Sequence, residues 1–283
     1  MINKFYSAMV LLFLALPAAA LGIDNEPMNV DNQPRTQVLI KTTMGDITVA
    51  LYNETPQHRD NFLKLVSEHY YDGVLFHRVI KDFMIQTGDG RSRNATPGQM
   101  LGAGDLDYTV PAEFVFPKFF HKRGALAAAR TGDEVNPERA SSASQFYIVT
   151  GKTYSRPTLN AMQEQLAQQK KNDIFRSLAM KNRQTIIELK NSNDSVGMER
   201  LEQRLLKQAE ATYAINPVVF TPGMFEAYST VGGTPHLDGQ YTVFGEVTMG
   251  MDVVDRIQNA PTGRADRPVE DIRILSVTVL GQP

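Results

Sequence analysis

The amino-acid sequence predicts a mainly β domain, a sandwich or barrel, with an inserted stretch of α-helix. Three observations carry that expectation. Short β-rich runs bounded by Gly, Pro, Asn and Asp recur between Val38 and Thr150, the spacing of an all-β domain. From Ser155 to Tyr213 the composition shifts to Gln, Lys, Glu and Asn, with apolar residues every three or four positions, the period of an amphipathic helix. Strand patterning resumes at Tyr241, so the helices read as an insertion inside one β domain that is expected to close without them.

The first 20 residues read as an address. One Lys, an apolar run from Met9 to Leu16 and the small residues Pro17 to Ala20 form a secretory signal peptide with cleavage expected after Ala20. The apolar run is shorter than the roughly 20 residues that span a bilayer, so no stable membrane insertion is expected after cleavage. Residues 21–37, polar with Pro27 and Pro34, read as a flexible leader, and the folded domain is expected over 38–283. Val38–Thr43 and Asp46–Leu51 flank Met44-Gly45 as an antiparallel hairpin. Thr55-Pro56 offers an N-cap and a first-turn Pro for a helix carrying Phe62, Leu65 and Val66. Strands are expected at 74–79, 83–86, 108–110, 125–128 and 145–150. Leu159, Met162, Leu166, Ile174, Leu178, Ile186 and Leu189 share one helical face; after a turn at Asn191–Ser195, Met198, Leu201, Leu205 and Ala209 do so again. That is a helical hairpin with one apolar stripe. A short helix from Thr221 to Tyr228, strands at Tyr241–Val247 and Ile272–Leu280, and a helix at Asp252–Ile257 complete the chain.

Composition removes whole classes of chemistry. With no Cys among 283 residues, thiol nucleophiles, disulfides, thiolate zinc and iron–sulfur sites are excluded. Twenty-nine basic against 31 acidic residues leave no electrostatic footprint for nucleic acid. Gly102-Ala-Gly104 lacks the strand–helix frame of a phosphate loop. Ser141, Ser142 and Ser144 have no base that sequence places beside them. His77 and His121 stand at no ligand spacing and read as structural. No metal and no cofactor is expected.

Phe76-His77-Arg78-Val79-Ile80, followed by Asp82 to Asp89, sets one cation among large apolar side chains. On a strand Arg78 and Ile80 share a face. The guanidinium then snorkels to solvent, forms a structural ion pair, or presents a fixed fork of donors beside an apolar pocket.

This stretch resembles the signature of the cyclophilin family of peptidyl-prolyl isomerases. Gly124 to Arg130 with Ser142 to Ile148 is similar to the family's groove-lining strand and loop, and Leu237-Asp238-Gly239 with Val243 to Val247 to its closing block. The resemblance covers Val38–Lys152 and His236–Leu280. It implies a closed eight-stranded antiparallel barrel capped by helices, with residues 154–235 as an α-helical insertion. It implies that Arg78 donates to the prolyl nitrogen of a twisted X–Pro amide, with Phe83 and Gln86 beside it as catalytic partners. Met84, Tyr147 and Leu237 complete, with Phe83, the floor under the proline ring. His77, Ala129, Arg130, Gln145, His236 and Tyr241 bind the peptide, Arg130 through its backbone. Tyr147, His236, Tyr241 and Arg130 replace the family's common Phe, Trp, His and Asn. Clients are expected to be unfolded or nascent exported proteins with X–Pro bonds, most naturally in a bacterial periplasm, with secretion as the alternative. The alternative is a non-catalytic chaperone or binding module for Pro-containing segments.

Overall fold

The structure, a computed structural model, describes residues 33–281. The expected signal peptide and residues 21–32 lie outside the described residues. Of the expected leader, residues 33–36 lie against the sheet and Gln37 already belongs to its first strand: the Arg35 guanidinium stacks 4.3 Å from the Tyr52 ring and pairs with Glu246 at 2.8 Å.

In chain order the elements are β1 (Gln37–Thr42), β2 (Gly45–Leu51), α1 (Pro56–Ser67), β3 (Arg78–Ile80), β4 (Met84–Thr87), β5 (Thr109–Val110), β6 (Ala125–Ala128), β7 (Ser141–Ser142) and β8 (Phe146–Val149). Then come α2 (Arg156–Lys181), α3 (Arg183–Asn191), α4 (Ser195–Ile215), α5 (Pro222–Thr230), β9 (Val243–Met249), α6 (Met251–Gln258) and β10 (Ile274–Val279). Eight strands form one antiparallel sheet in the order β10-β1-β2-β9-β6-β8-β4-β3; β5 and β7 pair separately. Both β8, before the helices, and β9, after them, hydrogen-bond to β6. Strands from the two sides of the helical stretch therefore interleave in one sheet.

The sheet curls without closing, which corrects the closed barrel that the resemblance implies. Its end strands β3 and β10 do not pair along their length. Residues just before β3 reach the start of β10 instead, through Gly73 N–H to Ile274 O, Ile274 N–H to Val74 O, Phe76 N–H to Ile272 O and the single bridge Leu75–Arg273. β3 is only three residues long because the chain turns at Asp82 with φ +58°, too short to line a six-residue edge.

Period-two alternation sorts side chains onto the two faces of the curl. Val79, Ile85, Leu126, Phe146, Ile148 and Phe244 face inward, where α1 and α6 cover them with Phe62, Leu65, Val254 and Ile257. Met84, Ala125, Ala127, Tyr147, Val149 and Val243 face the other way and build a second cluster. α1 is capped differently from expectation. The Thr55 hydroxyl donates to Tyr52 O, and the Glu113 carboxylate accepts from Gln57 N–H and His58 N–H instead.

The stripe of the helical stretch is buried in pieces. Leu159 and Leu166 of α2 pack with Phe220, Met224, Phe225 and Tyr228, while Leu201, Leu205 and Ala209 of α4 are buried beside α2. The expected first long helix is interrupted at Asn182, whose side-chain amide donates back to Leu178 O at 2.8 Å. Asn competes in this way with the helical ladder.

Candidate active site

The β3–β4 hairpin fixes the register of the site. Arg78 lies opposite Gln86 and Ile80 opposite Met84, while Gln86 in turn faces Tyr147 on β8. Alternation therefore puts Arg78, Met84, Gln86 and Tyr147 on the outward face without any long-range coincidence. They line a hollow of about 440 Å³ with His77, Phe83, Ala129, Arg130, Leu237 and Tyr241. Two expected site residues are not part of its lining: Gln145 is buried, whereas His236 is exposed. Gln145 is buried under Gln86, accepting from its Nε2 at 3.0 Å and donating onward to Gly102 O and Gly104 O. His236 stacks on Phe83 with ring centroids 5.5 Å apart.

The Arg78 guanidinium is held from two sides. Its Nη1 donates to Gln86 Oε1 at 3.5 Å and its Nε to Asp266 Oδ2 at 3.4 Å. Some 41% of the Arg78 side chain stays exposed, so donors remain for a ligand. The snorkelling, ion-pair and donor-fork readings are here parts of one arrangement. Ala129 contributes surface only: its N–H donates to Gln145 O and its C=O accepts from Ser142 N–H. Arg130 tucks its side chain under Tyr241, 4.4 Å from the ring, and donates from Nε to Gln240 O. That side chain is 3% exposed, so backbone is what Arg130 shows to solvent.

The floor has a polar root. Tyr147 is buried, and its hydroxyl meets His121 Nε2 at 3.0 Å. His121 Nδ1 and its backbone N–H both reach Asp238 Oδ1, and Tyr228 of α5 donates to Asp238 Oδ2 at 2.6 Å. Burial pushes both tyrosine hydroxyls well above their ordinary range, with the nearby Asp238 adding to the effect. Burial also lowers His77 to about 4, so its ring is neutral at pH 7. Both of its ring nitrogens are buried without a hydrogen-bond partner among the described residues.

Some of this was hidden from sequence reasoning. Asp266, Ala265, Leu101 and Gly102 line the hollow with no local signal to mark them. The two glycines around Ala103 serve packing: a Cβ at Gly104 would stand 1.9 Å from Asp89 Oδ1, while Asp89 Oδ2 accepts from Gly102 N–H and Gly104 N–H. Ser141 does have a base beside it. His58 Nε2 is 2.9 Å from its hydroxyl, and His58 Nδ1 is 2.6 Å from Glu113. Burial raises the Glu113 carboxyl, yet the hydrogen bonds from the His58 side chain and from the His58 and Gln57 N–H groups outweigh it and hold it low. Ser141 is 1% exposed, so the trio ties α1 to β7 and offers no nucleophile to a substrate. Among the described residues no group of three His, Cys, Asp or Glu is placed to hold a metal.

A family model described as cyclophilin type peptidyl-prolyl cis-trans isomerase/CLD matches residues 37–279. The chain belongs to the cyclophilin family. It is 28% identical over 250 residues to a Staphylococcus aureus protein described as a peptidyl-prolyl cis-trans isomerase, covering 87% of this chain and 93% of that one. It is 29% identical over 255 residues to a Streptococcus pyogenes protein described as a bifunctional phosphatase/peptidyl-prolyl cis-trans isomerase, covering 89% of this chain and 40% of that longer protein. A crystal structure of a cyclophilin type peptidyl-prolyl cis-trans isomerase from Cryptosporidium parvum shares the fold, with TM-score 0.50 at 20% identity over 88% of this chain and 99% of that one.

Proposed function

We propose that this groove accelerates cis–trans isomerisation of X–Pro bonds, with Arg78 as the catalytic residue, and that its clients are unfolded exported proteins. One observation carries the reaction: a partly exposed guanidinium, braced by Gln86 and Asp266, beside the apolar side chains of Phe83, Met84, Tyr147 and Leu237. Rotation about an X–Pro bond must break amide resonance, a barrier of roughly 18–20 kcal/mol. At the twisted geometry the nitrogen lone pair is localised and accepts a hydrogen bond that the planar ground state cannot. A donor fixed there binds the transition state better than the substrate, and only such differential binding accelerates the step. Gln86 fixes the direction of Arg78 and is itself fixed by Gln145. The apolar floor takes the proline ring and excludes water, which favours the less polar twisted amide. The exposed backbone at Arg130 is the edge along which the peptide lies. None of this needs a nucleophile, a titrating base or a metal.

Proton-exchange NMR or a protease-coupled assay on an X–Pro tetrapeptide tests the reading. Faster cis–trans exchange with protein is expected. Equal rates with and without it would leave a groove that holds Pro-containing segments without catalysis. Export rests on the signal-peptide pattern of the first 20 residues, and a periplasm, where newly translocated chains refold, is the compartment that suits it. Among the described residues no helix is long and apolar enough to cross a membrane. Residues 154–235 are the helical insertion in this reading, added between two strands that pair with the same neighbour.

A further inference from the structure

The helical stretch does not lie flat on the sheet. Between α2 and the turn at Asp238–Gln240 runs a cleft of about 580 Å³, larger than the proline hollow, with Leu166, Ile174 and Leu178 on the α2 side and Phe114 and Phe116 on the sheet side. Met162, Leu166, Lys170, Ile174 and Leu178 stand four apart along a ridge that winds about 40° per step around α2. The apolar row that packs on α5 at Leu166 therefore continues past the core into open space, with a lysine in its middle. Lys170 is half-buried, desolvation lowers its pKa, and its ammonium donates to the carbonyl of Asn216 at 2.7 Å. Lys181 lines the same cleft. Arg139, also in the wall, is neutralised by Asp133 and Asp173, whereas among the described residues neither lysine has a carboxylate at ion-pair distance. The cleft has a mixed lining in which the carboxylates of Asp173 and Asp238 are committed to Arg139 and to His121 and Tyr228, which leaves its two lysines without a carboxylate partner among the described residues.

Its far wall is the back of the active site. The turn at 238–240 follows Leu237 and precedes Tyr241, both of which line the proline hollow. Gln240 bridges the two cavities, accepting from Arg130 Nε through its carbonyl and from Gln169 Nε2 of α2 through its side chain. A chain leaving the proline hollow over this turn enters the cleft.

We propose that the cleft is a second peptide subsite that takes an acidic, apolar segment of the same client whose X–Pro bond sits in the groove. The inference rests on the peptidyl-prolyl reading of that groove. A charge-assisted pair with a desolvated lysine is stronger than one in water, and linking two segments in one chain makes the second contact intramolecular.

The test uses the full chain and five peptides: an X–Pro tetrapeptide, the same tetrapeptide joined by a Gly-Ser spacer to a Leu-Glu-Glu-Leu tail at its N-terminal or at its C-terminal end, and the two matching Leu-Lys-Lys-Leu versions. Fluorescence anisotropy reads binding, and NMR exchange reads isomerisation. The acidic tail at one end should tighten binding roughly tenfold over the lysine tail, with the gap narrowing as salt rises. Lys170→Glu and Lys181→Glu, checked by circular dichroism, should each shrink that preference, and together they should invert it. Equal affinity for the two tails, or a preference that both variants leave untouched, would overturn the subsite. Failure of the isomerase reading looks different: the tail preference persists in anisotropy while no peptide shows enhanced exchange.

Discussion

Replacing Tyr228 with Phe isolates one hydroxyl whose loss should be felt in the groove. The ring volume is kept, so the substitution opens almost no cavity. What disappears is the 2.6 Å hydrogen bond from α5 to Asp238 Oδ2, in a place where Tyr228 is 0% and Asp238 5% exposed. The other carboxylate oxygen is already committed to the His121 backbone N–H and ring, so it cannot compensate. Losing a buried hydrogen bond to a charged group costs about 1.5–3 kcal/mol. At this chain length each kcal/mol moves the melting temperature by roughly 2–4 °C, which gives a fall of about 3–12 °C by thermal circular dichroism. The same loss frees the turn after Leu237, so KM for a tetrapeptide should rise several-fold while kcat changes little, because Arg78 and Gln86 are on other strands. A variant melting within 1 °C of wild type with unchanged KM would refute the reasoning. It would mean that water or a neighbour satisfies Asp238, and that α5 does not hold the proline wall.

Other outcomes follow from single groups. Arg78→Ala should lower kcat/KM by one to three orders of magnitude, roughly 1.4–4 kcal/mol. Arg78→Lys should recover little, since an ammonium cannot present the planar fork that meets both Gln86 and Asp266; wild-type kinetics in either variant would leave only a surface ion pair. His77, held near 4 by burial against an ordinary 6.5, is neutral when folded, while the unfolded chain takes up a proton below about pH 6.5. Its contribution is therefore whole above pH 6.5 and drains as the pH falls toward 4, by roughly 3 kcal/mol at the limit. Urea unfolding of His77→Leu across that range should show a flatter curve than wild type, and parallel curves would contradict the assignment. Mass spectrometry of the exported protein should find an N-terminus at or near Leu21; intact Met1 on soluble cytoplasmic protein would reject the signal peptide.

What the sequence made legible was local. The alternation in Phe76–Asp89 puts Arg78, Met84 and Gln86 on one face before any contact is known, and the hairpin register delivers it. The short helix expected from Thr221 to Tyr228 is α5, and the hydroxyl of Thr221 caps it by accepting from Met224 N–H. The misses are long-range. Asp266 lies 188 positions from Arg78 at a positive φ of 58°, and although Gly263 marks a turn there, nothing local ties that turn to Arg78. Thr55 looked like a cap, but a carboxylate from Glu113 reached the same N–H groups. Strand order alone could not show that β3 is too short to meet β10, so the curl was expected to close. Tyr147 announced a need, a hydroxyl that must find a partner when buried, without saying that His121 would supply it.

That partner changes the standing of the helices. Patterning that resumes cleanly at Tyr241 suggested a stretch the β domain could do without. The structure ties it to the groove twice, through Tyr228 to Asp238 and through Gln169 to Gln240, and both ties land on the three-residue turn between Leu237 and Tyr241. Those two residues wall the hollow over Arg78. A turn held from the sheet side alone keeps His121 and Arg130 as anchors, but it loses the two that fix its outer edge. Excising residues 156–230 would then remove more than a client-facing arm, because Tyr228 goes with it. The helical stretch is better described as a buttress for one wall of the groove, with the cleft at Lys170 and Lys181 on its other side.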